Sequence, residues 1–349
     1  MKRLTALDKV KDLTLYTGTF GREKCTCNCI GCTQGGIIKE KEPYQGDINQ
    51  IKKIIDKLPN LENPYLLGHP DVSVDTDFCN EAAREFEKNN TSVMYSTSGY
   101  GGNKTMKRLV SRLNFKNIEY VSYSVDAVED EKIHYLKGTK NISLKDIEES
   151  IKFCVDMNIP VKIQPTLWEY NQEDYIDIIN YFYKKYNIKW FTFHAGSFES
   201  LKNRKVPLKH IEPLKWKEIV KNIQFIAEKK KLKIVVPRIF LNQEEMDKEK
   251  ENIHTYCANG GTGLQIWLEK DAIRCTYCPL LAELHPEFTF LIDEEVTHFI
   301  RTDGVCAVRR EALDENLINK SWNGKGAVFK QNTENLYNVC RFFSIREQY

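Results

Sequence analysis

Apolar positions along this chain switch repeatedly between two periods. Residues 12–20, DLTLYTGTF, alternate apolar or aromatic with polar side chains, the period-two pattern of a strand. Ile48, Ile51, Ile54, Ile55 and Leu58 then repeat at helical spacing behind Asp47, an acidic residue suited to cap a helix. The alternation recurs, with strands expected over 64–69, 92–97, 118–125, 160–167 and 188–194, and helices over 75–89, 104–113, 143–157 and 171–186. Strands alternating with helices of this length specify an α/β fold with a parallel sheet and right-handed crossovers. Six such units fall two short of a closed eightfold barrel, so the expectation is a partial (β/α)6 TIM-like barrel. Beyond Ser197 the rhythm breaks: a polar stretch, a long helix over 213–229, a short strand over 234–238 and a charged connector over 246–252. The reading places the barrel and its following helix in 1–250 and a smaller second module in 251–349.

Charge changes this picture little. With 51 basic against 49 acidic residues the net charge is +2, which gives no general field for nucleic acid or anionic lipid. No window approaches the roughly 20 apolar residues of a membrane span, and the first residues carry no signal-peptide-like apolar run. The expectation is a soluble, cytoplasmic protein in a reducing compartment, with no membrane and no nucleic acid among its partners.

Cysteine changes it much more. Cys25, Cys27, Cys29 and Cys32 fall within eight residues directly after the first expected strand. A structural zinc site would use two separated ligand pairs, and this is one crowded run. Cys25, Cys29 and Cys32 stand in the order C-x3-C-x2-C, and three thiolates can hold three irons of a 4Fe-4S cube while the fourth iron stays open. Cys27 is left over as a spare thiol. At this loop the sequence resembles the radical SAM superfamily, which carries the same triplet after the first strand of a six-stranded partial barrel. In that family the residue before the third Cys is often aromatic; here it is Gly31. The resemblance implies S-adenosylmethionine chelated to the open iron and cleaved reductively to a 5′-deoxyadenosyl radical.

Parallel α/β folds place ligands at the C-terminal ends of strands, so those ends are the expected rim of a site. After the second strand stands Gly68-His69-Pro70-Asp71, where the family carries a turn that contacts the methionyl amine of SAM. After the third stands Ser96-Thr97-Ser98-Gly99, which resembles the family's Thr-Asn-Gly ending. Ser122, Ser124 and Asp126 alternate in the fourth and so face one side, with Gln164 similarly placed in the fifth. The resemblance makes Gly68, His69, Pro70, Asp71, Ser96, Ser122, Ser124, Asp126 and Gln164 the candidate SAM contacts. Residues 126–143 read as a loop whose Asp126, His134, Lys137 and Gly138 keep a cadence of the peptide-modifying branch of the family.

The last 93 residues carry Cys257, Cys275, Cys278, Cys306 and Cys340, with a hairpin expected between the first two. The layout resembles Twitch and SPASM modules, which implies an auxiliary 4Fe-4S cluster on four of the five. Cys278, Cys306 or Cys340 is then a candidate hydrogen-atom donor, while Cys275-x2-Cys278 also has the spacing of a zinc knuckle. The implied activity is hydrogen abstraction from a ribosomally made peptide, in epimerisation, crosslinking or thioether formation. The implied partners are a reducing protein such as flavodoxin or ferredoxin and a separate peptide-recognition protein. Dehydrogenation of a small-molecule alcohol or aminocyclitol, and a non-catalytic iron-sulfur or zinc protein, stay open as alternatives.

Overall fold

A computed structural model describes residues 6–18, 25, 27–31, 44–67, 71–111, 113–196, 208–209, 211–237, 263–276, 289–294 and 344–348. The first unit is β1 (Asp12–Tyr16) and α1 (Ile48–Lys57). Leu13 and Leu15 of β1 are buried in one core with Ile51 and Ile54 of α1, so the alternation on the strand and the helical spacing meet on one face. Helix α1 starts where Asp47 accepts from the Asn49 amide at 2.7 Å, while Gln50 Oε1 accepts from the Asp47 amide at 3.0 Å, a reciprocal cap.

The units that follow are β2 (Asn63–Leu66) with α2 (Thr76–Lys88), β3 (Val93–Thr97) with α3 (Gly102–Val110), and β4 (Ile118–Tyr123) with α4 (Asp130–Lys137) and α5 (Leu144–Asp156). Next come β5 (Val161–Ile163), β6 (Thr166–Leu167) and α6 (Tyr175–Tyr186), then β7 (Trp190–Thr192), β8 (His194–Ala195), α7 (Pro213–Lys230) and β9 (Lys233–Pro237). Strands β1, β2, β3, β4, β5, β7 and β9 pair in parallel in that order. The expected α/β architecture is present. Its register stacks the inward side chains in levels: Tyr65, Met94 and Tyr120 side by side, then Ser96, Ser122 and Lys162 one level nearer the C-terminal ends.

Several elements differ from the sequence reading. The strand expected over 160–167 is two strands, β5 in the main sheet and β6 paired with β8 in a sheet of their own. Pro165 sits at the break; it has no N–H for a ladder, and its carbonyl accepts from the His194 amide instead. Residues 130–137, read as loop, form α4. The helix has acidic residues in its first turn and Lys137 in its last, buries Ile133 and Leu136, and ends at Gly138 with φ +60°.

On the other side of β1 the sheet continues. Strand β10 (Gly263–Glu269) pairs with β1 in parallel, and β11 (Ala272–Thr276) and β12 (Phe290–Leu291) follow antiparallel. The hairpin expected in the C-terminal module is therefore an extension of the barrel sheet. Gln50 fixes it there, donating to Glu269 O at 2.8 Å and Ala272 O at 3.2 Å. A last strand, β13 (Ser344–Gln348), pairs antiparallel with β9, so the 11-stranded sheet runs open from β12 to β13. Among the described residues no helix is long and apolar enough to cross a membrane. The division placed near residue 250 falls outside the described residues.

Candidate active site

The cysteine loop lies against the C-terminal turn of α4. The Asn28 amide donates to Lys137 O at 2.8 Å and the Ile30 amide to Leu136 O at 3.0 Å, so loop amides satisfy carbonyls that a helix end leaves open. Amides two residues apart bond to the same helix end, with Cys27 buried and Asn28 exposed beside them. Gly138 is required twice at this contact. Its φ is positive, and a Cβ there would stand 2.1 Å from Asn28 O.

The Lys137 side chain turns inward. Its Nζ lies 2.8 Å from Asp126 Oδ2 and donates to Ser124 Oγ at 2.8 Å, with the Lys137 and Asp126 side chains 3% and 12% exposed. Burial opposes this charge, but the Asp126 carboxylate and the nearby Cys29 and Cys27 thiols outweigh it and hold the ammonium above its ordinary pKa. Asp126 is fixed in turn, since its Oδ1 accepts from the Thr166 amide at 2.8 Å. Contact with Cys25 and then burial push the Cys27 thiol up to about 11, while contact with Cys27 and then burial raise Cys29. The Lys137 cation opposes both shifts, favouring the thiolate that a metal requires.

Below this rim, Ser122 Oγ donates to Gln164 Oε1 at 2.8 Å, and Ser96 stands beside Ser122 across the β3–β4 ladder. Asp71 is an organiser of the loop after β2: Oδ1 accepts from the Ser73 amide at 2.8 Å and Thr97 Oγ1 at 3.2 Å, and Oδ2 from the Ser98 amide at 2.7 Å. Its carboxylate ties that loop to the end of β3. The structure thus brings Cys29, Ser124 and Asp126 together around Lys137, with Cys25 reaching them through Cys27, and sets Ser96, Ser122 and Gln164 just beneath. Cys32, Gly68, His69, Pro70, Cys257, Cys278, Cys306 and Cys340 lie outside the described residues. Cys275 is described. It is buried between Ile266 and Phe290 in the hairpin, and burial raises its thiol above the ordinary range.

Three residues of this rim escaped the candidate set. Trp168 is buried beside Gly31, and its amide donates to Asn171 Oδ1 at 2.7 Å. Asn171 Nδ2 donates to Asp126 O at 2.9 Å and Thr166 O at 3.0 Å. Lys137 was noted for its cadence and not for a role. The only sequence signal was a glycine directly before a cysteine, a place where a side chain could have been excluded.

Residues 22–182 match the model of the Radical SAM superfamily. The match covers less than half of the chain, and this stretch is similar to a radical SAM domain. The chain is similar in fold to Streptococcus suis SuiB, with a TM-score of 0.56 at 12% identity over 80% of this chain and 62% of that one. It is likewise similar to anSMEcpe with bound AdoMet, with a TM-score of 0.56 at 12% identity over 89% of this chain and 82% of that one. The chain thus spans less than two thirds of SuiB, and these identities speak for the fold. No curated protein matches the chain. A thiolate-ligated iron-sulfur cluster fits the residues present in the matched stretch: Cys25, Cys27 and Cys29 supply thiols held in no disulfide, soft donors in a loop that follows β1 and packs beside a buried cation.

Proposed function

We propose that the chain is a radical SAM enzyme in which Cys25, Cys29 and Cys32 hold a 4Fe-4S cluster that binds S-adenosylmethionine. When bound, the pair supplies a 5′-deoxyadenosyl radical able to abstract hydrogen from a substrate carbon. The observation that carries this is the seating of Cys29, with Cys27 in contact with it, beside the Lys137–Asp126 ion pair, inside a stretch matching the superfamily model. Lys137 places a fixed positive charge by the thiols, and Asp126 holds it in position. Gly68, His69, Pro70, Asp71, Ser96, Ser122, Ser124, Asp126 and Gln164 form the rim that binds S-adenosylmethionine, with Asp71 shaping the loop rather than reaching out. The substrate class is a ribosomally made peptide, favoured by the cadence of Asp126, His134, Lys137 and Gly138. Four of Cys257, Cys275, Cys278, Cys306 and Cys340 hold an auxiliary cluster, with one of the last three as hydrogen donor, and a flavodoxin- or ferredoxin-like protein of the cytoplasm supplies electrons.

The test is iron and acid-labile sulfide per chain after anaerobic purification, for wild type and a Cys25/Cys29/Cys32→Ala variant, with 5′-deoxyadenosine release as the second readout. About eight irons falling to about four supports two cubes, and about four falling to none removes the auxiliary one. Zinc in place of iron, or no 5′-deoxyadenosine from reduced wild type, overturns the reading.

A further inference from the structure

Trp168 lies between two glycines that have no room for a side chain. A Cβ on Gly31 of the cysteine loop would stand 2.3 Å from Trp168 Cζ2, and one on Gly196 would stand 2.3 Å from Trp168 Cδ2. Real Cβ atoms do not approach so closely, so the indole fills the space where both side chains would be. The ring is 3% exposed and held from behind, since Asn171 accepts from its backbone amide and donates to Asp126 O and Thr166 O. The Gly196 amide donates to Leu167 O at 2.8 Å, tying the second glycine to the end of β6 directly before the tryptophan.

These contacts close a ring. The loop is bonded at Asn28 to Lys137, Lys137 is paired with Asp126, Asp126 is bonded to Asn171, Asn171 holds Trp168, and Trp168 packs on Gly31 of the same loop. Gly31 directly precedes Cys32. We infer that Trp168 is a positioning residue for the cluster: it wedges the end of the cysteine loop through Gly31 and so sets where the third thiolate is presented. The inference rests on the proposed assignment of Cys32 as a ligand. It adds a residue from the segment after β6, and it accounts for the missing side chain at position 31 as a consequence of the wedge.

Steric exchange makes this testable. Anaerobically reconstituted protein is challenged with an iron chelator, and the rate of iron loss is read with the electron paramagnetic resonance of the reduced cluster, with and without S-adenosylmethionine. Far-ultraviolet circular dichroism and thermal unfolding serve as fold controls. Trp168→Ala and Gly31→Ala should each speed iron loss about 10- to 100-fold, the usual cost of removing a group that orients a ligand. The double variant should return toward the wild-type rate, because the new methyl group enters the space the indole vacates. Effects of the two changes that simply add, or a wild-type rate in Trp168→Ala, would overturn the wedge. If Trp168→Ala unfolds, Trp168→Phe paired with Gly31→Ala carries the same exchange with less volume removed. Wild-type protein that takes up no iron overturns the assignment of the site. The wedge is then read separately, by amide exchange at Asn28 and Ile30 in wild type and Trp168→Phe, where unchanged exchange sinks it.

Discussion

Two buried lysines lie in the same barrel and are accommodated by different chemistry. Lys137, at the C-terminal rim, meets a carboxylate: Nζ is 2.8 Å from Asp126 Oδ2, and the pair is wired to the cysteine loop. Lys162, one level into the barrel, has its Nζ over ring faces, 4.2 Å from the Tyr120 centroid, 5.2 Å from Tyr65 and 5.5 Å from Trp190. A carboxylate attracts strongly and directionally, so it fixes a cation at a point. Ring quadrupoles attract more weakly and tolerate displacement. The rim needs the first, because a ligand must arrive at a defined place; the floor needs only to be filled. The difference predicts that the rim lysine governs cluster behaviour and the floor lysine governs stability alone.

Breaking the rim pair should give the largest effect. Lys137→Met strands Asp126 in a buried position, and removing one partner of such a pair costs about 3–5 kcal/mol. Urea unfolding at pH 7 measures it, and iron content should fall with it. Replacing both partners, as Lys137→Met with Asp126→Leu, should recover part of the stability but not the iron. Recovery of both would show that the pair is only structural. Gly138→Ala comes next. A left-handed non-glycine residue costs about 1 kcal/mol, and the 2.1 Å approach to Asn28 O must be relieved as well. Because relief means moving the cysteine loop, iron retention should suffer more than thermal stability. Lys162→Met should cost about 2 kcal/mol by loss of desolvated ring contacts, while iron retention and S-adenosylmethionine affinity stay at wild-type values. A loss of S-adenosylmethionine affinity in that variant would end the division between rim and floor.

The contrast between these regions also marks what could be read from the sequence. The β-α alternation and the strand-end cysteines were legible, because periodicity and ligand spacing are local properties. The nearness of Ser122 and Gln164, which share a hydrogen bond, follows from a local property too, since alternation along neighbouring strands sets which side chains share a face. Helix α4 was not legible: only Ile133 and Leu136 are apolar and buried, too few to show a period in eight residues. The split of the fifth strand at Pro165 was a missed local signal. Trp168, Asn171 and Lys137 belong to another category, because their roles exist only through contacts with residues 31, 126 and 28 that the fold brings together. The hairpin over 263–276 was legible as a hairpin, but its parallel pairing with β1, some 250 residues earlier, left no mark in the local pattern.

A third buried charge tests whether the comparison extends beyond lysine. Asp75, at the start of α2, accepts from Gln45 Nε2 at 2.8 Å through Oδ1, while its Oδ2 is buried with no hydrogen-bond partner among the described residues. Burial is the main cause that lifts its carboxyl to about 6, from an ordinary value near 3.9. The sign follows from linkage: the folded state binds the proton more tightly than the unfolded chain, so the folded state loses stability as pH rises from about 4 through about 6. Asp75→Asn keeps the acceptor for Gln45, offers a donor where Oδ2 was unpaired, and suits the helix start equally well. It should leave the unfolding temperature unchanged at pH 4 and raise it at pH 8, by no more than about 1 kcal/mol of stability once solvent screening is allowed for. Lys137 should show a slope of the same sign at the other end of the scale, where its charge stabilises the fold until it is lost. Its folded pKa is raised, so its contribution is complete below about pH 10 and declines above that. Parallel pH profiles for Asp75→Asn and Lys137→Met would therefore separate a charge held by a counter-ion from one merely enclosed, and profiles that coincide would show the distinction to be empty.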